Sequence, residues 1–182
     1  MGGFMGADRP TLEQVLARVP QQHPFRFIDE ILELDKERIV GTYRFRNDEY
    51  FYRGHFPGLP ITPGVILIET MAQTAVVALG LYLSSFVSGA GPEDPVTLFT
   101  LAENVEFTGV IRPGERVVVS GKKIYFRANQ LKVAASMERL NGEVVCSGTL
   151  AGKGIARAQF AGNEPVPPLP FEGVATERSA EG

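Results

Sequence analysis

Cysteine is nearly missing: Cys146 is the one thiol in 182 residues. No intrachain disulfide can form, which excludes a cross-linked secreted scaffold and suits a reducing, cytoplasmic setting. Histidine is almost as scarce, with His23 and His55 alone. Two imidazoles without a carboxylate cluster make a poor catalytic zinc site, so no metal is expected. No glycine stretch ends in Gly-Lys-Ser/Thr, so no phosphate loop and no nucleotide cofactor are expected. No basic stripe stands out and the net charge is −3, which argues against nucleic-acid binding. Met1 to Pro10 lack the apolar core of a signal peptide.

What is present is a globular composition, 44% hydrophobic and 21% charged, enough for one domain with a sizeable core. The run Val65 to Val87 is the single membrane-span candidate, but it carries Glu69, Thr70, Gln73 and Thr74. An ionisable group inside a lone spanning helix is costly. No membrane insertion is expected, and the run reads as the central helix of a soluble domain.

Along the chain, Thr11-Leu12-Glu13-Gln14 has the pattern of a capping box, and Leu12, Val15, Leu16 and Val19 follow at helical spacing. A short helix is expected over Thr11 to Val19, after a flexible stretch over residues 1–10. Phe25 to Leu34 and Arg38 to Phe45 read as strands. In the second, Ile39, Gly41, Tyr43 and Phe45 alternate with Arg38, Val40, Thr42, Arg44 and Arg46. The long helix spans about Gly64 to Leu83, and Ser84 to Pro95 reads as a linker. Four strands follow, near Val96–Phe107, Arg116–Arg127, Leu131–Leu140 and Glu143–Ala151. Arg112-Pro113-Gly114-Glu115 suits a type II turn, and Asn141-Gly142 is a hairpin signal. From residue 154 the pattern fades into a tail expected to be disordered or loosely docked. The order implies an α+β fold, a curved antiparallel sheet wrapped around one long helix over residues 11–153.

Chemistry concentrates between Arg53 and Gln73. His55 heads a loop stiffened by Pro57, Pro60 and Pro63, which suits an imidazole that must be aimed. Glu69 interrupts the apolar run Val65-Ile66-Leu67-Ile68. Buried there, its carboxyl would favour the protonated form and could serve as an acid; equally, it could be a helix residue tied to Gln73 one turn on. Gly64 opens the helix, where N–H groups lack intrahelical partners and can face an oxyanion. One aimed base, one protonated acid and one N–H donor suit proton abstraction beside a carbonyl with loss of a β-hydroxyl.

Gly54-His55-Phe56-Pro57-Gly58-Leu59-Pro60-Ile61-Thr62-Pro63-Gly64-Val65, with Glu69-Thr70-Met71-Ala72-Gln73 behind it, resembles the signature of the β-hydroxyacyl-acyl-carrier-protein dehydratases. The resemblance extends over Leu12 to Ala151, taking in His23-Pro24-Phe25-Arg26-Phe27-Ile28-Asp29 and the segment from Phe107 to Glu115. It implies a hotdog fold whose subunits join into one continuous sheet. It also implies His55 as base, Glu69 as acid (directly or through a water) and the Gly64 N–H on the thioester carbonyl, with His and Glu meeting across a dimer interface. Glutamate at 69 resembles the dehydratase-only branch; Thr62 departs from that branch, which usually has Met there.

Phe56, Pro57, Thr62, Val65 and Gln73 are candidates for a substrate tunnel, although core is the default place for Tyr43, Tyr52 and Phe56. Lys122, Lys123, Arg127 and Lys132 could meet an acidic carrier protein, or simply form a solvated sheet face. His23 is expected to be structural. The implied partners are an acyl carrier protein and further copies of the chain, as a homodimer or trimer of dimers. The rival functions are a hotdog acyl-thioester hydrolase and a non-catalytic acyl-thioester-binding subunit.

Overall fold

The computed structural model describes residues 6–87 and 96–156. Helix α1 spans Arg9–Arg18. It starts two residues before the expected Thr11, because the Asp8 carboxylate accepts the Thr11 N–H at 3.1 Å and acts as the cap. The Ala7 N–H reaches the Leu34 carbonyl at 2.7 Å, so this part of the stretch expected to be flexible is tied to the domain.

Six strands follow: β1 Glu30–Leu34, β2 Arg38–Arg44, β3 Val96–Phe107, β4 Arg116–Arg127, β5 Gln130–Arg139 and β6 Val144–Ile155. They form one antiparallel sheet in the order β1-β2-β4-β5-β6-β3. In β2 Ile39, Tyr43 and Phe45 are buried and Arg38 and Arg44 exposed as expected, but Thr42, expected on the outer face, is buried too. The strand expected from Phe25 begins only at Glu30, with the Asp29 N–H bonded to the Thr42 carbonyl of β2 at 2.8 Å just ahead of it. The turn at 112–115 closes through Glu115 N–H to Arg112 C=O, with Gly114 at φ +85°. In the β5–β6 connection Gly142 takes φ +83° and its N–H bonds the Arg139 carbonyl.

The central helix runs Gly64–Phe86. It is α-helical over Gly64–Ala72, widens into π-turns over Gln73–Ala78, tightens at Leu79–Leu81 and widens again over Tyr82–Val87. It therefore continues into the expected linker. Of its most apolar window 72% is buried, which makes it the core helix. Sheet glycines let it lie on bare backbone: a Cβ on Gly121 would sit 2.5 Å from that of Ala75, and one on Gly152 would sit 2.6 Å from Val76. Strand β6 runs on to Ile155; the rest of the expected tail, and most of the linker, lie outside the described residues.

Candidate active site

A 3-10 turn, Tyr50–Arg53, delivers the chain to His55, whose N–H bonds the Phe51 carbonyl at 3.0 Å. The loop then closes on itself twice. Ile61 N–H donates to the His55 carbonyl at 3.0 Å, and His55 Nδ1 lies 3.0 Å from the Ile61 carbonyl oxygen. A carbonyl can only accept, so Nδ1 carries a proton, and in the neutral imidazole it is Nε2 that holds the lone pair. The Phe56 ring stacks on the imidazole at 4.1 Å between centroids. Phe56 is therefore not core but half exposed, whereas Tyr43 and Tyr52 are buried as expected.

Thr62 fastens the end of this loop. Its N–H bonds the Ile111 carbonyl at 2.8 Å and its buried hydroxyl meets that of Tyr52 at 2.7 Å. Pro63 is the extended cap before the helix, and the Gly64 N–H finds no acceptor among the described residues. A Cβ at Gly64 would come within 3.0 Å of the Phe107 ring, so the absent side chain lets β3 close over the helix start.

Glu69 is half-buried one turn into the helix. Burial pushes its carboxyl above the ordinary range, opposed in part by the hydrogen bond from Gln73 Nε2 at 3.0 Å. Gln73 is fully buried and also grips the N-terminal segment. Its Oε1 accepts the Phe27 N–H at 2.7 Å and its Nε2 donates to the Phe25 carbonyl at 2.9 Å. These bonds take up backbone groups that a strand would have used at Phe25 and Phe27, which is why the expected strand does not begin at Phe25. Glu69 lines a cavity of about 70 Å³ with Gln21, Ala72, Val76, Val77, Thr97 and Phe99.

Within one chain, then, His55, Gly64, Glu69 and Gln73 share a loop–helix unit, but His55 is not a wall of the Glu69 cavity. Phe56 and Pro57 line an outer groove with Asn47, Tyr52 and Arg53, while Val65 is 70% exposed. Of the four sheet cations, Lys123 pairs with Glu37 and Lys132 with Glu103, each at 2.8 Å, and Arg127 lies over Tyr125. His23 sits in an exposed turn. Among the described residues no three His, Cys, Asp or Glu side chains gather as metal ligands.

The sequence reading passed over two groups. Glu49 is buried before the 3-10 turn, where Tyr43 donates to it and Arg46 N–H bonds it at 3.1 Å. Arg46 in turn bonds Tyr43 and Asp29, each at 2.9 Å. Burial, reinforced by Glu49, raises the Tyr43 phenol far above its usual range, so it stays a donor. The acid at the head of Tyr50-Phe51-Tyr52 was the one available signal. Gln21 carried none.

Solved structures with this fold include the dehydratase heterocomplex ApeI:P from Xenorhabdus doucetiae, with TM-score 0.66 and 12% identity over 82% of this chain and 97% of that one. A mutant thioesterase from Pseudomonas aeruginosa matches with TM-score 0.57 and 15% identity, over 83% of this chain and 98% of that one. The class is the hotdog fold, which a dehydratase and a thioesterase share, so fold does not choose between their chemistries. Sequence does. The FabA-like domain family matches residues 19–149, and the chain belongs to it, among the β-hydroxyacyl-acyl-carrier-protein dehydratases. The protein named 3-hydroxyacyl-acyl-carrier-protein dehydratase FabZ in Petrotoga mobilis is 33% identical over 123 residues, 68% of this chain and 83% of the relative. Its namesake in Caldicellulosiruptor bescii is 32% identical over 141 residues, 77% and 95% of the two chains.

Proposed function

We propose that the chain dehydrates 3-hydroxyacyl thioesters held on an acyl carrier protein to trans-2-enoyl thioesters, in fatty-acid or related lipid biosynthesis in the cytoplasm. The reading is carried by the states in which the fold holds its two groups. Nδ1 of His55 is committed to Ile61, leaving Nε2 as a base, and burial favours the protonated acid at Glu69. Nε2 takes the proton from C2 while the Gly64 N–H faces the thioester oxygen. The C3–O bond breaks, and the Glu69 proton joins the leaving hydroxyl as water. The proton on His55 then returns through solvent to Glu69.

We place the complete site between two copies of the chain. Strand β3 is a sheet edge with Leu98, Phe99 and Phe107 exposed. Two such edges paired antiparallel about a twofold axis would set the Val96 end of one beside the Phe107 end of the other. Thr97 and Phe99 stand at Glu69, and Phe107 stands at Gly64. Pairing thus carries the Glu69 of one chain toward the Gly64 and His55 of the other. An acidic carrier protein would approach Lys122, Lys123, Arg127 and Lys132; Lys123 and Lys132 already hold carboxylates, so Lys122 and Arg127 offer the stronger field.

Hydration of a short enoyl thioester, followed by enoyl absorbance and free thiol, tests the chemistry: loss of absorbance without thiol release is expected. Thiol release would mean a hydrolase, and neither signal a binding subunit. His55→Ala and Glu69→Gln should each lower turnover by about 10²–10⁴-fold. Refolded together, the two inactive variants should recover about a quarter of wild-type activity, because half the dimers are mixed and each has one intact site. No recovery in confirmed mixed dimers would sink the shared site.

A further inference from the structure

His55 and Gly64 stand near the two ends of one loop, and hydrogen bonds hold that loop at two levels. At the tip, the Ile61 N–H bonds the His55 carbonyl and His55 Nδ1 bonds the Ile61 carbonyl, which closes residues 55–61 into one piece. At the root, three residues before His55 and two before Gly64, the hydroxyls of Tyr52 and Thr62 meet at 2.7 Å. Both residues are buried, at 7% and 5% exposure, so water competes little for either hydroxyl. Each is anchored separately. The Tyr52 N–H bonds the Glu49 carbonyl at 3.1 Å, in the turn that leads to His55. The Thr62 N–H bonds the Ile111 carbonyl at 2.8 Å, just ahead of the central helix. The closed tip is tied to the turn through the His55 N–H and Phe51. Among the described residues no hydrogen bond ties it to residues 62–64, and the hydroxyl pair is the one bond between the two arms of the root. Thr62 is also where the chain departs from the branch its motif resembles, so the pair is a feature of this chain.

We propose that Tyr52 and Thr62 are positioning residues for the dehydration, their shared hydrogen bond setting the imidazole of His55 against the N–H of Gly64. This rests on the reading that His55 is the base and Gly64 the carbonyl donor. Those two groups act on neighbouring atoms of one substrate, the C2 proton and the thioester oxygen, so their separation has little tolerance. The tip moves as one piece because it is closed on itself. Its angle to the helix start is set at the root, and there the hydroxyl bond joins the arm that carries His55 to the arm that carries Gly64. Neither hydroxyl needs to touch substrate to do this.

Variants of the full-length protein test this through hydration of a short enoyl thioester, read at a temperature where all of them are folded. Tyr52→Phe and Thr62→Val each break the bond and leave the other hydroxyl buried without its partner. Each should lower the melting temperature by a few degrees and kcat by about tenfold, with KM unchanged. The double variant Tyr52→Phe/Thr62→Val leaves neither hydroxyl behind. Its melting temperature should return toward that of the wild type while kcat stays as low as in the single variants. A pair that only stabilised the fold would let kcat recover with the melting temperature. Thr62→Ser keeps a hydroxyl for Tyr52 and should regain most of the kcat that Thr62→Val loses. Wild-type kcat in the double variant, or a loss carried by KM alone, overturns the proposal if His55→Ala is inactive. Should a single variant fail to fold, the double variant decides. An active His55→Ala overturns the base assignment itself, and the positioning role with it.

Discussion

At the scale of the residue, Gln73 and Glu69 show what the site costs the fold. Gln73 is the partner of one backbone N–H and one backbone carbonyl in the Phe25–Phe27 segment. Gln73→Leu strands both, and should cost about 2–4 kcal/mol in urea unfolding while turnover falls as Glu69 loses its tether. Glu69 is a stability burden of a different kind. Its carboxyl is raised above its unfolded value by burial. The folded state therefore binds the proton more tightly, an advantage fully present in acid and lost as pH rises through the folded value. Glu69→Gln is neutral at every pH and keeps an oxygen for Gln73. It should melt above the wild type at neutral pH, with the difference gone below about pH 4. Thermal melts at the two pH values decide it. Wild-type kcat should fall on the alkaline side, as the acid ionises.

At the scale of the element, the β4–β5 hairpin holds an error of economy. Its two connecting residues, Ala128 and Asn129, both take positive φ, at 49° and 59°. Asn tolerates this and Ala does not. Ala128→Gly should therefore stabilise the protein by about 0.5–1 kcal/mol, read from chemical denaturation. Such a turn was hard to see in the sequence, because Ala is no signal for it, whereas Pro113-Gly114 and Asn141-Gly142 announced theirs. The same contrast runs through the other elements. Alternation in β2 and the apolar run of the central helix were legible, since each is a local pattern with one burial solution. The Phe25–Phe27 segment was not, because the group that satisfies it lies 46 residues from Phe27. At the site, His55, Gly64, Glu69 and Gln73 could be picked out as a unit from the motif. The places of Gln21 in the wall beside Glu69 and of Glu49 under Tyr43 depend on which elements the fold brings together, and local spacing is silent about that.

At the scale of the molecule, the sheet has a long edge, β3, with large apolar side chains in the open. An uncovered edge of this kind is a template for another strand. Phe99→Lys puts a charge both on that edge and in the wall of the Glu69 cavity. It should leave monomers in sedimentation and little activity; persistent dimers would show that the copies meet elsewhere. Beneath the sheet the situation is the reverse. The central helix rests on Gly121 and Gly152, and the cavity along that seam, beside Val76, Gly80 and Leu131, is about 10 Å³. Hydrostatic pressure works by eliminating voids. It has almost nothing to gain at the helix–sheet seam, so compression should leave the helix seated on the sheet well beyond the pressure at which a loosely packed domain would open.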